Sequence, residues 1–323
     1  QIYMVLPTSG RITVQDIETE FGIGTSIYKL LSNDLGPLIS KVPANPISMS
    51  NFYGKTNIPA PIAVSANPTT NRFVAVTYNS TTAGAAYSDN GTTWVTAATP
   101  PTAALWRSVA CSPTGRFVTV ANGSANCAYS NEGNIWTTVA SLPSSQAWYA
   151  VACNPQNGRF VAIVNSSTIS AYSDDGGVTW TQSPTGLPSA SLWQCIACSP
   201  TTGRFVALAS AGISAYSDDG ITWTSSSTPV TGTGRAITCN FAGRFMASFS
   251  GSTATYAYYS DNGTTWSNGA YLLYLQGYDS YSCASDTYTG DFFVANSTSG
   301  YTINSQGGSV MTTYPRIDTV STI

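Results

Sequence analysis

The side chains of this 323-residue chain that could do chemistry are few, and most sit inside one repeated phrase. It reads Tyr87-Ser88-Asp89-Asn90-Gly91 then Trp94, Tyr129-Ser130-Asn131-Glu132-Gly133 then Trp136, and Tyr172-Ser173-Asp174-Asp175-Gly176-Gly177 then Trp180. It returns as Tyr216-Ser217-Asp218-Asp219-Gly220 then Trp223, and Tyr259-Ser260-Asp261-Asn262-Gly263 then Trp266. An acidic turn can coordinate calcium, but that needs more carboxylates than one such hairpin offers. It can instead accept backbone N–H groups about two residues on, with glycine supplying the positive φ. This structural role is expected of Asn90, Glu132, Asp175, Asp219 and Asn262, without a bound metal. The chain has no histidine, which removes the commonest general base and histidine metal sites. Its glutamates are Glu18, Glu20 and Glu132. Glycoside hydrolysis needs two facing carboxylates, and away from the repeated turns the second part of the chain offers Asp279, Asp286, Asp291 and Asp318. No phosphate-cradling glycine motif or clustered cysteine spacing occurs, so no cofactor is expected.

The elements that carry these turns are legible from their interval. Successive tryptophans of the phrase lie 42, 44, 43 and 43 residues apart. A period of that size predicts one four-stranded propeller blade per repeat. In the second repeat the strands are expected at 106–111, 116–120, 127–130 and 136–139, joined by tight turns. An Arg-Phe pair opens the second strand at Arg72, Arg116, Arg159, Arg204 and Arg244. First strands beginning near 61, 106, 148, 193, 234 and 278 give six antiparallel blades over residues 58–323. The fold class is thus all-β, with a small, mostly helical or irregular module at residues 1–57. Cys111, Cys153, Cys198, Cys239 and Cys283 fall once per repeat and read as buried free thiols, which implies folding in a reducing compartment.

The phrase resembles the Asp-box, or BNR, repeat of sialidase-like propellers. The full Ser-x-Asp-x-Gly-x-Thr-Trp spacing is met by Ser173, Asp175, Gly177, Thr179 and Trp180, and the other four copies are one residue shorter. The resemblance raises sialidase chemistry, which uses three arginines, a tyrosine nucleophile with a glutamate partner and an aspartate acid/base. Five of the nine arginines here belong to the repeat. Of the others, only Arg107 and Arg235 fall at matching places, each at the start of a first strand. No glutamate is left to activate a tyrosine. The expectation is therefore that the chain is not an enzyme.

Residues 1–57 differ in character. They hold all three lysines and two of the three glutamates. Thr13 and Ser48 have the types of helix N-caps, predicting short helices at 14–21 and 49–53, with a third around 26–31. The segments Leu6-Pro7-Thr8-Ser9-Gly10-Arg11-Ile12-Thr13 and Pro46-Ile47-Ser48-Met49-Ser50-Asn51-Phe52-Tyr53-Gly54-Lys55 resemble the N-terminal leader of tailed-bacteriophage virion proteins, often tail fibres. That resemblance implies attachment to other virion proteins through residues 1–57, with the propeller outward.

Charged residues make up only 8% of the chain, against about 25% in a typical soluble domain, and the net charge is −3. No basic surface is available for nucleic acid, and no apolar run approaches a membrane span. Binding is the remaining role. The starts of the innermost strands hold Trp106-Arg107, Trp148-Tyr149, Trp193-Gln194, Arg235 and Tyr278. Aromatic faces beside amide and guanidinium donors suit a sugar. The plainer reading packs Trp106, Trp148 and Trp193 between blades, and both stand at this point. The loop at 271–278, with Tyr271, Leu272, Leu273 and Tyr274, is a protein-contact surface or a plug over the channel mouth. The expected function is a phage virion structural protein (tail fibre, spike or decoration), folded in the host cytoplasm. Its propeller would mediate non-catalytic attachment to a host surface component, glycan among them. A homo-oligomer is compatible with that role. The alternatives are a glycoside hydrolase of the Asp-box class and a purely structural propeller.

Overall fold

The computed structural model describes residues 61–79, 84–91, 93–228, 232–250, 255–272, 280–285, 292–296, 300–303 and 311–314. The expected helices at 14–21, 26–31 and 49–53 and the boundary after residue 57 lie outside the described residues. What is described is all-β, with no helix.

The strands follow one another in groups of four, each group an antiparallel meander. The first unit is β1 (Pro61–Ala66), β2 (Phe73–Asn79), β3 (Ala85–Ser88) and β4 (Val95–Thr96). The second is β5 (Ala104–Cys111), β6 (Phe117–Ser124), β7 (Cys127–Ser130) and β8 (Thr137–Val139). The third is β9 (Gln146–Cys153), β10 (Phe160–Val164), β11 (Ser170–Ser173) and β12 (Thr181–Gln182). The fourth is β13 (Cys195–Cys198), β14 (Phe205–Leu208), β15 (Ile213–Ser217) and β16 (Thr224–Ser227). The fifth is β17 (Thr233–Cys239), β18 (Phe245–Ser250), β19 (Thr255–Ser260) and β20 (Ser267–Leu272). The sixth group is β21 (Ser280–Ser285), β22 (Phe292–Asn296), β23 (Gly300–Ile303) and β24 (Met311–Tyr314).

Side-chain alternation explains how the units pack. In the second to fifth units the second strand opens on a run buried on both faces, as in Phe160-Val161-Ala162-Ile163-Val164, where every residue is buried. A strand reads that way only when sheets cover both its sides. The fourth strands of the first four units are short, two to four residues, and Val95, Thr96, Thr181 and Gln182 are exposed. Short edges of this kind discourage edge-to-edge association. Each core cluster accordingly draws on two consecutive units. Val118 and Cys127 of the second unit pack with Trp148, Phe160 and Trp180 of the third. Val161 and Ile163 of the third pack with Trp193, Phe205 and Trp223 of the fourth.

Two further contacts tie one unit to the next. The repeat arginine lies over its own unit's tyrosine, for example 4.8 Å from Arg159 Cζ to the Tyr172 ring centre. It grips its own hairpin carboxylate, Nε to Asp174 Oδ1 at 2.7 Å, and donates through Nη1 to the Asp219 carbonyl of the next hairpin at 2.6 Å. Arg72 bridges Asp89 and the Glu132 carbonyl in the same way, and Arg204 bridges Asp218 and the Asn262 carbonyl. The hairpin glycine meanwhile seats on a valine of the preceding unit's second strand. A Cβ at Gly133 would lie 2.2 Å from Val74 Cγ2, and one at Gly263 2.4 Å from Val206 Cγ2.

One positional expectation is corrected. Cys111, Cys153, Cys198 and Cys239 each end a first strand opposite the phenylalanine that opens the second strand. In the sixth unit Ser285, not Cys283, holds that position, since Ser285 pairs with Phe292. The four thiols are free. Burial pushes Cys111, Cys153 and Cys239 up to about 12, and raises Cys198 as well.

Two outcomes are expected. Gly133→Ala adds a Cβ against Val74 at a φ of 75°, and should cost about 2 kcal/mol in denaturant unfolding. The thiols favour the folded state while they stay neutral there. That stabilisation is whole below the ordinary thiol value of 9.0 and is lost as pH climbs through about 12. Melting temperature should therefore fall steadily above pH 9.0, and replacing the four cysteines by alanine should flatten the fall.

Candidate functional site

The first strands of successive units adjoin, β1 beside β5, β5 beside β9, β9 beside β13, β13 beside β17 and β17 beside β21. Each carries the same irregularity near its start. The register slips by one residue between Pro61 and Ala63, Trp106 and Ser108, Trp148 and Ala150, Gly234 and Ala236, and Ser280 and Ser282. The extra residue is Ile62, Arg107, Tyr149, Arg235 and Tyr281 in turn. In the fourth unit the Gln194 N–H bonds the Leu208 carbonyl, although Leu208 already faces Cys195. A β-bulge bends the strand and re-aims one side chain out of the alternation. In the second to fifth units the repeat thus presents a different residue at this place, Arg107, Tyr149, Gln194 and Arg235.

The bulge separates neighbours that the sequence placed together. Trp106, Trp148 and Trp193 are fully buried, and each indole N–H donates to the carbonyl four residues back, Thr102, Ser144 and Ser189. They pack between units, and as ligand contacts they are withdrawn because no ring face is open. Arg107, Tyr149, Gln194 and Arg235 are half-buried and hold the bulged tier. Tyr278 lies outside the described residues, and the register gives its expected place to Tyr281. Tyr271 and Leu272 end strand β20, opposite Tyr256 and Thr255, rather than opening a loop. Leu273 and Tyr274 lie outside the described residues.

Arg107 is the centre of the best-defined cluster. Its Nη2 donates to the Tyr149 hydroxyl. Its Cζ stands 4.1 Å from the Tyr149 ring centre and 5.6 Å from that of Tyr78. Tyr78, next to last in β2, is 40% exposed and accepts from Asn122 Nδ2 at 3.3 Å. Sequence reasoning missed Tyr78 and Asn122 because it followed first strands alone. The signal for both is that in the first two units the end of the second strand pairs with the start of the next first strand, as Tyr78 does with Leu105 and Asn122 with Ala147. Farther round the tier, Arg235 Nε donates to Ser250 Oγ at 2.8 Å. Ring faces, a guanidinium and amides on one tier can stack on and hydrogen-bond a ligand.

The hairpin turns do different work. Asp219 Oδ1 accepts from the Ile221 and Thr222 N–H groups, both at 2.7 Å, and from Ser217 Oγ at 2.9 Å. Ser217 Oγ in turn accepts from the Gly220 N–H at 2.8 Å. Burial disfavours the charged form of Asp219, but these bonds together outweigh it and hold the carboxyl below its ordinary range. Asp175 is lowered likewise, its bonds from Thr179, Ser173 and Val178 prevailing over burial. Asn90 and Asn262 accept from Thr93 and Thr265, each at 2.8 Å. Glu132 contributes its backbone carbonyl, to Arg72. In the third hairpin the longer spacing is absorbed by two left-handed glycines, Gly176 and Gly177.

No protein-family profile and no curated protein sequence matches the chain. Solved structures do. Virginiamycin B lyase from Staphylococcus aureus is similar at a TM-score of 0.66 and 11% identity, over 80% of this chain and 85% of that one. YCF48 from Cyanidioschyzon merolae is similar at 0.56 and 13%, over 79% and 84%. The GH74 xyloglucanase from Xanthomonas campestris is similar at 0.59 and 15%, over 77% of this chain and 46% of that one. At such identities the likeness concerns the fold, a β-propeller. It also corrects one expectation. A lyase and a xyloglucanase carry this fold, so the absence of histidine and the scarcity of glutamate do not make this chain a non-enzyme.

The separation of packing from tier is testable by substitution. Trp148→Ala should cost about 4 kcal/mol in denaturant unfolding, as for a fully buried aromatic. Tyr149→Ala, one residue on, should stay within about 1 kcal/mol of the parent.

Proposed function

We propose that this chain is a bacteriophage virion structural protein, a tail fibre, spike or decoration. In this reading residues 1–57 form a small, mostly helical module that attaches to other virion proteins. Residues 58–323 form a six-bladed Asp-box propeller. The first-strand tier at Arg107, Tyr149, Gln194 and Arg235 contacts a host surface component, with glycan the favoured class. The observation that carries the proposal is the joint occurrence of two segments. Leu6–Thr13 and Pro46–Lys55 resemble phage leader sequence, and they precede the propeller repeats. The tier supports the binding half, because it is where an otherwise repetitive chain varies its side chains.

Immunogold labelling of intact tailed particles carrying this gene product tests the assignment. Label should decorate a surface appendage, and purified full-length chain should compete for adsorption to host cells. Particles without label, together with unchanged adsorption in the presence of excess chain, would remove the reading. The same purified chain, incubated with host polysaccharide, shows whether binding is accompanied by cleavage.

A further inference from the structure

We infer that the tier around Arg107 seats an oxyanion of the ligand, a carboxylate, sulfate or phosphate group. The inference rests on the proposed reading of that tier as the ligand-contact surface, and it adds the chemistry recognised there.

Four of the five repeat arginines are neutralised in the fold, and the fifth, Arg116, commits Nε and Nη1 to the Gly176 carbonyl and Asn131 Oδ1. Arg72, Arg159, Arg204 and Arg244 each hold a carboxylate through Nε, at 2.5 to 2.7 Å. Arg107 is built differently. Among the described residues it makes no ion pair, and its one hydrogen bond is to the neutral Tyr149 hydroxyl. A guanidinium has five N–H donors, so most of its edge is uncommitted. The Tyr149 and Tyr78 rings both lie within cation–π range of it.

That arrangement favours a particular ligand group. A half-buried cation without a counter-charge is poorly compensated by neutral partners. An oxyanion meeting the open edge supplies both the charge and the acceptors, in the bidentate geometry that arginine prefers. The two rings and the bulged backbone hold the guanidinium in place beforehand, so little side-chain entropy is lost on binding. Arg235 occupies the corresponding bulge three units on, giving the tier a second guanidinium. In a chain of net charge −3 these two positions concentrate positive charge on the inner strands.

Binding of the full-length chain to dextran sulfate, polygalacturonate and polyphosphate, measured by calorimetry against neutral dextran, tests the inference and separates sulfate, carboxylate and phosphate. At least one anionic polymer should bind, neutral dextran should not, and the affinity should drop as sodium chloride is raised. Arg107→Gln should weaken that binding about tenfold or more, with an unchanged melting curve. Should Arg107→Gln fail to fold, Tyr149→Phe removes the hydroxyl alone and should weaken binding measurably. Equal binding to all four polymers, or undiminished binding by the folded variant, would overturn the inference. Host-cell adsorption measured in parallel distinguishes the two proposals. Adsorption that persists in Arg107→Gln leaves the attachment role and removes the oxyanion. Polymer binding lost in Arg107→Gln, in a chain that adsorbs to no cell, leaves the oxyanion seat and removes attachment.

Discussion

The structure depends on how one hairpin sits on the unit before it. A glycine at positive φ brings the turn against a valine of the preceding second strand, with no room for a Cβ. The preceding unit's arginine then reaches across to that hairpin's backbone carbonyl while it holds its own hairpin's carboxylate. The energy of each component is modest, since partly exposed ion pairs contribute about 0.2–1 kcal/mol. Their value lies in repetition and direction. Each bond fixes the angle at which the next sheet docks, and the apolar faces of both sheets then close a shared core.

That docking angle places the first strands side by side and lines up their bulges. The bulge lets one position change freely while its neighbour stays buried. Trp106, Trp148 and Trp193 can remain packing residues while Arg107, Tyr149 and Gln194 vary beside them. Stability and recognition are thus carried by adjacent residues without conflict. The hairpin carboxylates belong to the first task. Their oxygens are taken up by local N–H and hydroxyl groups, as at Asp219.

Much of the fold was legible because the repeat states the same physics five times. Tyr, Ser, Asp, Gly and Trp recur at one interval, and strand starts inferred from it fall within a few residues of β1, β5, β9, β13, β17 and β21. Reading failed where a landmark drifted. Cys283 shares its residue type with Cys239 but not its register. The distance to the following phenylalanine would have shown this, since Cys153 and Cys198 precede Phe160 and Phe205 by seven residues, as Ser285 precedes Phe292. The bulge was not legible at all. A one-residue slip has no signature in residue types, so Trp106 and Arg107 looked like a pair with a shared task. Tyr78 was missed because its partnership with Arg107 crosses from one unit to the next, 29 residues along the chain. The absence of histidine and the scarcity of glutamate could not exclude catalysis, because one fold hosts many chemistries and residue types alone do not say which.

Native-state hydrogen exchange on the parent chain and an Arg159→Gln variant tests the inter-unit grip most directly. If Arg159 ties the third unit to the fourth, its loss should lower protection in both β11 and the Ser217–Thr222 hairpin, by similar amounts. Loss confined to the third unit, with the fourth hairpin exchanging as in the parent, would contradict the account.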